Sequence, residues 1–410
     1  MAANRRMLVL RAVVEDYIRS QEPVGSSALT QQHQLGVSSA TIRNDMAALE
    51  DEGYLIQPHT SAGRIPTQKG YRYFVDRLAK IVPLSRAQRK GIDAFLSGSS
   101  SLEDTLQRAA KLLAQITGQV AVVASPSLAK SRLRRLELIA IASMTLLVVV
   151  ITDTGQVAQH TLTLPAQLES REKLIVGLSE DLNAQCTGLT LAKAAERMTS
   201  IAEQAREESS RQLLEDLAAV LADMADEEES SSLYMAGRSQ LTHQQTISVS
   251  ELAPLLDALE EQVVLMRLMS AQSELSQQQG GVSVAIGSET RTPGLLHASV
   301  VTSGYGHAQA DGDGDEPEED PEQQAAITDG PIAFVGSIGP THMDYPATMS
   351  AVRAVAAYLT QFVAPATRTA SECDRAICHN SQEHMRTEGI IGGRLLRSVG
   401  SCAQCERGRY

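Results

Sequence analysis

Two chain breaks and a turn-rich stretch within the first seventy residues constrain this sequence more than any other feature. Leu10, Val13, Val14, Tyr17 and Ile18 recur at helical spacing, so Asn4–Ser20 reads as an amphipathic helix. Pro23 and Gly25 end it. Ser26 or Ser27 can cap a short second helix through Leu29 to His33. Gly36 turns the chain, and Ser38 or Ser39 caps a third helix running to Glu52. Gly53 should close that helix in the left-handed conformation. Tyr54–Thr67 contains Pro58, Gly63 and Pro66 and reads as a two-stranded wing, with another helix over Gln68–Ile81. Three helices and then a wing is the order of a winged helix-turn-helix. In that fold the third helix enters the major groove of double-stranded DNA and the wing lies along the backbone or minor groove.

The third helix divides by angle. Ile42, Met46 and Leu49 share one face and should pack on the first helix. The opposite face carries Ala40, Asn44 and Ala47, flanked by Thr41 and Arg43, with Ser39 at the start. Small side chains there allow close approach to bases. Asn44 suits a bidentate contact to adenine, and Arg43 suits guanine or a phosphate. In the wing, His59, Thr60, Ser61 and Arg64 supply donors for phosphate oxygens. The plainer reading leaves Arg43 and Asn44 as solvated helix residues and Arg64 as an ordinary turn arginine.

Charge is consistent with DNA contact at one end only. The whole chain carries −13, which argues against coating nucleic acid non-specifically. Met1–Lys80 holds ten Lys or Arg against eight Asp or Glu, a balance of +2, so the remainder carries −15. The first residues are polar and arginine-rich, unlike a signal peptide. The longest apolar stretch, Met144–Ile151, is too short for a bilayer, and Cys186 stands alone in the body. A soluble cytoplasmic protein without a membrane partner is the expectation.

At 410 residues the chain needs two or three domains. After a linker that becomes helical, short β-branched runs appear at Val120–Ala124, Leu136–Ala142, Leu146–Ile151 and Val157–Leu162. Helical periods follow at Ala166–Leu182, Ala192–Arg206, Gln212–Ala225 and Leu252–Leu275. Strand signals return at Val282–Ile286, Leu296–Val301 and Ile332–Ile338, and Met349–Phe362 closes the body as a helix. This order suggests an α/β domain with a helical insertion inside an α+β multidomain chain. Asp311–Glu322 is acidic and lacks large apolar side chains, so it should be a disordered loop.

The literal residues go further. Glu22-Pro23-Val24-Gly25-Ser26, Ser39-Ala40-Thr41-Ile42-Arg43-Asn44-Asp45-Met46 and Leu49-Glu50-Asp51-Glu52-Gly53-Tyr54-Leu55 resemble the heat-inducible transcription repressor HrcA family. So do Pro58-His59-Thr60-Ser61-Ala62-Gly63-Arg64-Ile65-Pro66-Thr67 and Gly70-Tyr71-Arg72. In the body, Tyr234-Met235-Ala236-Gly237, Ile286-Gly287-Ser288-Glu289 and Ile338-Gly339-Pro340-Thr341-His342-Met343-Asp344-Tyr345 match as well. The resemblance spans Arg5 to Phe362. It implies a winged-helix head, a GAF-like central domain and a dimerising segment inserted in it. It also implies repression of chaperone operons of the groEL/groES and dnaK type, through an inverted-repeat operator called CIRCE bound by a homodimer. Activity would be promoted by the chaperonin GroEL.

With the resemblance, the expected boundaries are residues 1–82 for the winged helix and 83–104 for a linker helix. The GAF-like domain takes 105–208 and 279–366, interrupted by a dimerisation segment at 209–278 and an acidic loop at 308–328. His342 stands where the family usually has Arg, and Thr290 where Asn is more usual. The tail, 367–410, is atypical. Its Cys373, Cys378, His379, His384, Cys402 and Cys405 match no zinc module in spacing, so a disordered extension without metal is expected. No nucleophile motif, phosphate loop or helical metal pair favours an enzyme, and no cofactor is expected. The competing reading is a winged-helix regulator whose GAF-like domain senses a small molecule.

Overall fold

A computed structural model describes residues 2–60, 62–79, 84–163, 172–226, 232–243, 249–278, 281–306 and 330–364. Ser61, the acidic loop Asp311–Glu322 and the cysteine-bearing tail lie outside them. The fold is mixed α+β.

Helices α1 (Ala2–Ser20), α2 (Ser26–Gln32) and α3 (Ser39–Asp51) precede a ribbon of β1 (Leu55–Ile56) and β2 (Ile65–Pro66). Helix α4 (Gln68–Tyr73) follows and widens into a π turn over Phe74–Leu78. Ser38 Oγ accepts the amide of Thr41 at 3.3 Å and so caps α3, and Gly53 follows that helix at φ +77°. Neither serine caps α2. Gly25 occupies the cap position, the helix starts at Ser26, and Ser26 Oγ lies 3.4 Å from Ser39 Oγ. A polar side chain before a helix can bond across to another helix instead of back to its own amides.

Helices α5 (Arg86–Leu96) and α6 (Leu102–Thr117) lead into β3 (Val120–Ala124). In place of the single linker helix expected over 83–104 there are two helices, and α6 runs on to Thr117. Its signals are present: Ser101 caps it, Glu103 and Asp104 occupy its first turn, and Gly118 ends it at φ +67°.

From β3 the chain departs into a separate layer and returns as β7 (Leu233–Ala236), which pairs antiparallel with β3. Ser125 and Ser232 close the neck: the Ser125 amide donates to the Ser232 carbonyl at 2.8 Å, and the Ser232 amide to Ser125 Oγ at 2.9 Å. The excursion contains β4 (Leu133–Ala142), β5 (Thr145–Thr152), β6 (Val157–Thr163), α7 (Glu172–Cys186), α8 (Leu191–Gln204) and α9 (Glu208–Asp226). It has its own core. Leu136, Leu138, Leu146, Val148 and Val150 meet Leu182, Met198, Leu217 and Leu221, and Cys186 is buried among them. Strand β5 alternates buried and half-buried residues along its length, as a sheet covered more fully on one face should.

The chain then adds α10 (Arg238–His243), α11 (Val249–Glu260), α12 (Gln262–Gln278), β8 (Ser283–Ile286), β9 (Ala298–Tyr305), β10 (Ala333–Pro340) and α13 (Tyr345–Val363). The main sheet has the order β7-β3-β10-β9-β8 and is antiparallel throughout. Helix α12 covers one face and α6 with α13 the other, so every residue of β10 is buried. The expected α/β domain is therefore antiparallel. Strand–helix–strand order in sequence leaves strand direction open, because direction depends on which strands pair, and that is not local information.

The expected segment 209–278 is not one unit. Leu213, Leu214, Leu217 and Leu221 of α9 belong to the excursion's core, while Leu255, Leu259, Leu265 and Met269 of α11 and α12 belong to the main one. Periodicity shows that a helix has an apolar face and not what that face meets. Among the described residues no helix is long and apolar enough to cross a membrane.

Candidate nucleic-acid interface

Helix α3 is held entirely from one side. Ile42 and Leu49 are fully buried, Met46 nearly so, and all three join the core that includes Val9, Leu10 and Val13 of α1. Asp45 lies on the same side, only 6% exposed, and takes a two-pronged contact from Arg5: Nε to Oδ2 at 2.6 Å and Nη2 to Oδ1 at 3.0 Å. Such a pair fixes the rotation of the helix as well as its distance. At the far end Arg6 pairs with Glu52. What remains bare is one stripe. Ala40, Arg43, Asn44, Ala47 and, in the last turn, Asp51 are exposed, at the three- and four-residue steps that keep side chains on one helix face. Ser39 and Thr41 flank the stripe, half-buried, with Thr41 Oγ1 3.0 Å from Ser38 Oγ.

The ribbon beside α3 is gathered by Gln57, a residue that no sequence pattern singles out. Gln57 Nε2 donates to the carbonyls of Thr60 and Ala62, each at 3.0 Å, and so gathers the loop between β1 and β2. The Gln57 amide donates to Glu50 Oε1 at 3.2 Å, tying the loop to α3. His59 and Thr60 are exposed at the tip. Gly63 passes so close to the α1–α2 turn that a Cβ there would lie 2.3 Å from the Val24 carbonyl oxygen. Only glycine allows that approach.

Arg64 stands apart from the other expected donors. Its side chain is 17% exposed and its Nε lies 2.8 Å from Glu50 Oε2, an ion pair without the alignment of a hydrogen bond. Its amide and carbonyl both pair with Val24 at 2.9 Å. The arrangement ties the base of the ribbon to α3 and to the α1–α2 turn. No one-dimensional pattern marks Glu50, Gln57 or Arg5 for these roles, because each acts through a partner distant in sequence.

Residues 103–349 match the model of the HrcA protein C terminal domain, more than half of the chain. The chain belongs to the HrcA family. A heat-inducible transcription repressor HrcA of Bifidobacterium adolescentis is 62% identical over 375 residues, covering 89% of this chain and 98% of that protein. The HrcA of Bifidobacterium longum is 64% identical over 373 residues, with 88% and 98% covered, and that of an Arthrobacter species is 43% identical over 365 residues, with 89% and 100% covered. A crystal structure of a hypothetical protein at 2.2 Å resolution shares the fold, with a TM-score of 0.51 at 23% identity over 88% of this chain and 98% of that one. Against the HrcA pattern, Thr290 is buried and its Oγ1 donates to the Gly287 carbonyl at 2.8 Å. The His342 carbonyl accepts from Gln21 Nε2 at 3.5 Å, between α1 and the turn ahead of α13.

The Glu50–Arg64 pair makes a measurable prediction. A double-mutant cycle with Glu50→Ala and Arg64→Ala, followed by denaturant unfolding, should give a coupling of about 0.5–1 kcal/mol, as for a half-screened pair. Strictly additive losses would show that the ribbon is held without it.

Proposed function

We propose that the first seventy-nine residues form a winged helix-turn-helix and that α3 enters the major groove of an inverted-repeat operator. The carrying observation is the bare stripe that includes Ala40, Arg43, Asn44 and Ala47 on a helix otherwise fixed by a buried core and the Arg5–Asp45 pair. Alanines admit the helix to the groove floor, Asn44 and Arg43 read base edges, and Ser39 and Thr41 serve the flanking phosphates. His59 and Thr60 at the wing tip meet the backbone, as does Ser61 in this reading, while Arg64 supports the wing from beneath. The body acts as the GAF-like part of a repressor of heat-shock chaperone operons whose operator is CIRCE. This reading rests on the family membership and the stripe together, and it leaves the chain no catalytic role.

A palindromic site requires two heads related by a two-fold axis. The large apolar side chains of α9 and α11 are mostly consumed by their own cores, while α12 leaves Val263, Val264 and Leu275 exposed. The outer face of the β4-β5-β6 sheet leaves Ile139 and Val157 about half exposed, with Leu147, Val149 and Ile151 between them only half-buried. That face is the dimer surface in this reading. Ile139→Glu combined with Val157→Glu should yield monomers by light scattering while the circular dichroism spectrum is retained. A variant that stays dimeric would place the contact elsewhere.

The chaperonin GroEL enters as the partner that keeps the repressor folded. Heat-damaged proteins would compete for it, and repression would lapse by mass action. The active fraction in an operator titration should rise with GroEL and ATP. An unchanged fraction, in protein that refolds fully unaided, would remove the chaperonin from the mechanism.

Base reading is tested at Asn44. One bidentate contact discriminates by about 1–3 kcal/mol, so Asn44→Ala in two heads should weaken operator binding by roughly 2–6 kcal/mol and leave random DNA unaffected. Parental operator affinity in a normally folded Asn44→Ala protein would show that α3 is not the reading helix.

A further inference from the structure

Three sequence runs remote from one another, none on the bare stripe of α3, meet at one seam. They are Gly70-Tyr71-Arg72 on α4, Ile286-Gly287-Ser288-Glu289 at the end of β8, and Thr341–Tyr345 ahead of α13. Gln68, Tyr71 and Arg72 are spaced three and four residues apart, so one face of α4 presents all of them to the body. Arg72 Nε donates to Glu289 Oε1 at 2.9 Å. Its Nη2 donates to the other carboxylate oxygen and, at 2.6 Å, to the Val284 carbonyl. Glu289 is already fixed when it meets Arg72, because its Oε2 accepts the Ile286 amide at 2.9 Å. On one side of this clasp Gln68 Nε2 donates to the Leu296 carbonyl at 3.2 Å and its Oε1 accepts from Ser288 Oγ at 3.0 Å. On the other, the buried Tyr71 ring lies 5.9 Å from that of Tyr345.

The head side is equally rigid. Lys69 Nζ donates to the Glu52 carbonyl at the end of α3 at 2.8 Å, and Thr67 Oγ1 to the Gly53 carbonyl at 2.7 Å. Helix α4 thus carries α3 on one side and the body on the other. One contact would let the head pivot. A two-pronged clasp between an amide pair and a ring pair fixes its angle.

We infer that Arg72 and Glu289 are a positioning pair for operator binding: the clasp sets the angle of each reading head on the body, and thereby the half-site spacing that the dimer accepts. The inference rests on the repressor reading above. Two heads on one palindrome gain affinity over a single head only when their separation and angle match the half-sites, and a loosened head forfeits that gain.

The test uses the full chain and three duplexes: the palindromic operator defined by footprinting, one isolated half-site, and a palindrome respaced by about half a helical turn, roughly 5 base pairs. Arg72→Glu should weaken binding to the palindrome by about 10–100-fold, leave half-site binding within about twofold, and narrow the preference over the respaced site. Combining it with Glu289→Arg should recover most of the loss. Arg72→Gln, which keeps a donor but no charge, should fall between and covers the case in which the reversal does not fold. A variant that keeps the parent's ratio of palindrome to half-site affinity overturns the inference. So does one that loses both equally, since the pair would then only hold the fold. If the parent itself shows no preference for the palindrome, the repressor reading fails instead.

Discussion

Helix α3 leaves a stripe of five residues uncovered, and the stripe forgoes every contact those residues could otherwise make. All that fixes the helix must come from its other side. Three large apolar residues there, each worth roughly 1.5–3 kcal/mol on full burial, provide the adhesion. They are non-directional and would tolerate a rotated helix. The Arg5–Asp45 pair supplies direction. Burying Asp45 carries a desolvation cost that a single ion pair seldom repays in stability, so its contribution is to orientation. The Ser38 cap, worth about 1 kcal/mol, fixes where the helix begins.

The same logic extends outward from α3. Glu50 reaches from its last turn to Gln57 and Arg64, and so joins the ribbon to the helix. Lys69 and Thr67 join it to α4, and α4 meets the body at Arg72 and Tyr71. Each step adds a directional contact to an apolar one. The head and main sheet consequently share one continuous core, running from Val9 to Val363.

The excursion between β3 and β7 is organised differently. It joins the main sheet through a hydrogen-bonded neck at Ser125 and Ser232, and its apolar residues form their own cluster. Further bonds from Ser127 to the Ile332 carbonyl and from Lys130 to the Pro331 carbonyl tie it to the main body. Its outer sheet face leaves Ile139 and Val157 uncovered, two of the exposed large apolar residues among those described.

Local chemistry made much of this legible in the sequence. The breaks at Pro23, Gly25 and Gly36, the cap at Ser38 and the left-handed Gly53 set out the head's helices, because each acts within a few residues of itself. The division of α3 into a buried face and a bare one followed from angle alone. Most strand positions in the body were readable for the same reason, from β-branched runs bounded by turns; β7, short and without a β-branched residue, was not. Tertiary structure alone decided the rest. It made the main sheet antiparallel, split 209–278 between two cores, and paired Arg64 with Glu50. It also brought Arg72 to Glu289 across more than two hundred residues. Those outcomes depend on which surfaces meet, and a periodic pattern records that a face is apolar or charged but carries no information about its partner.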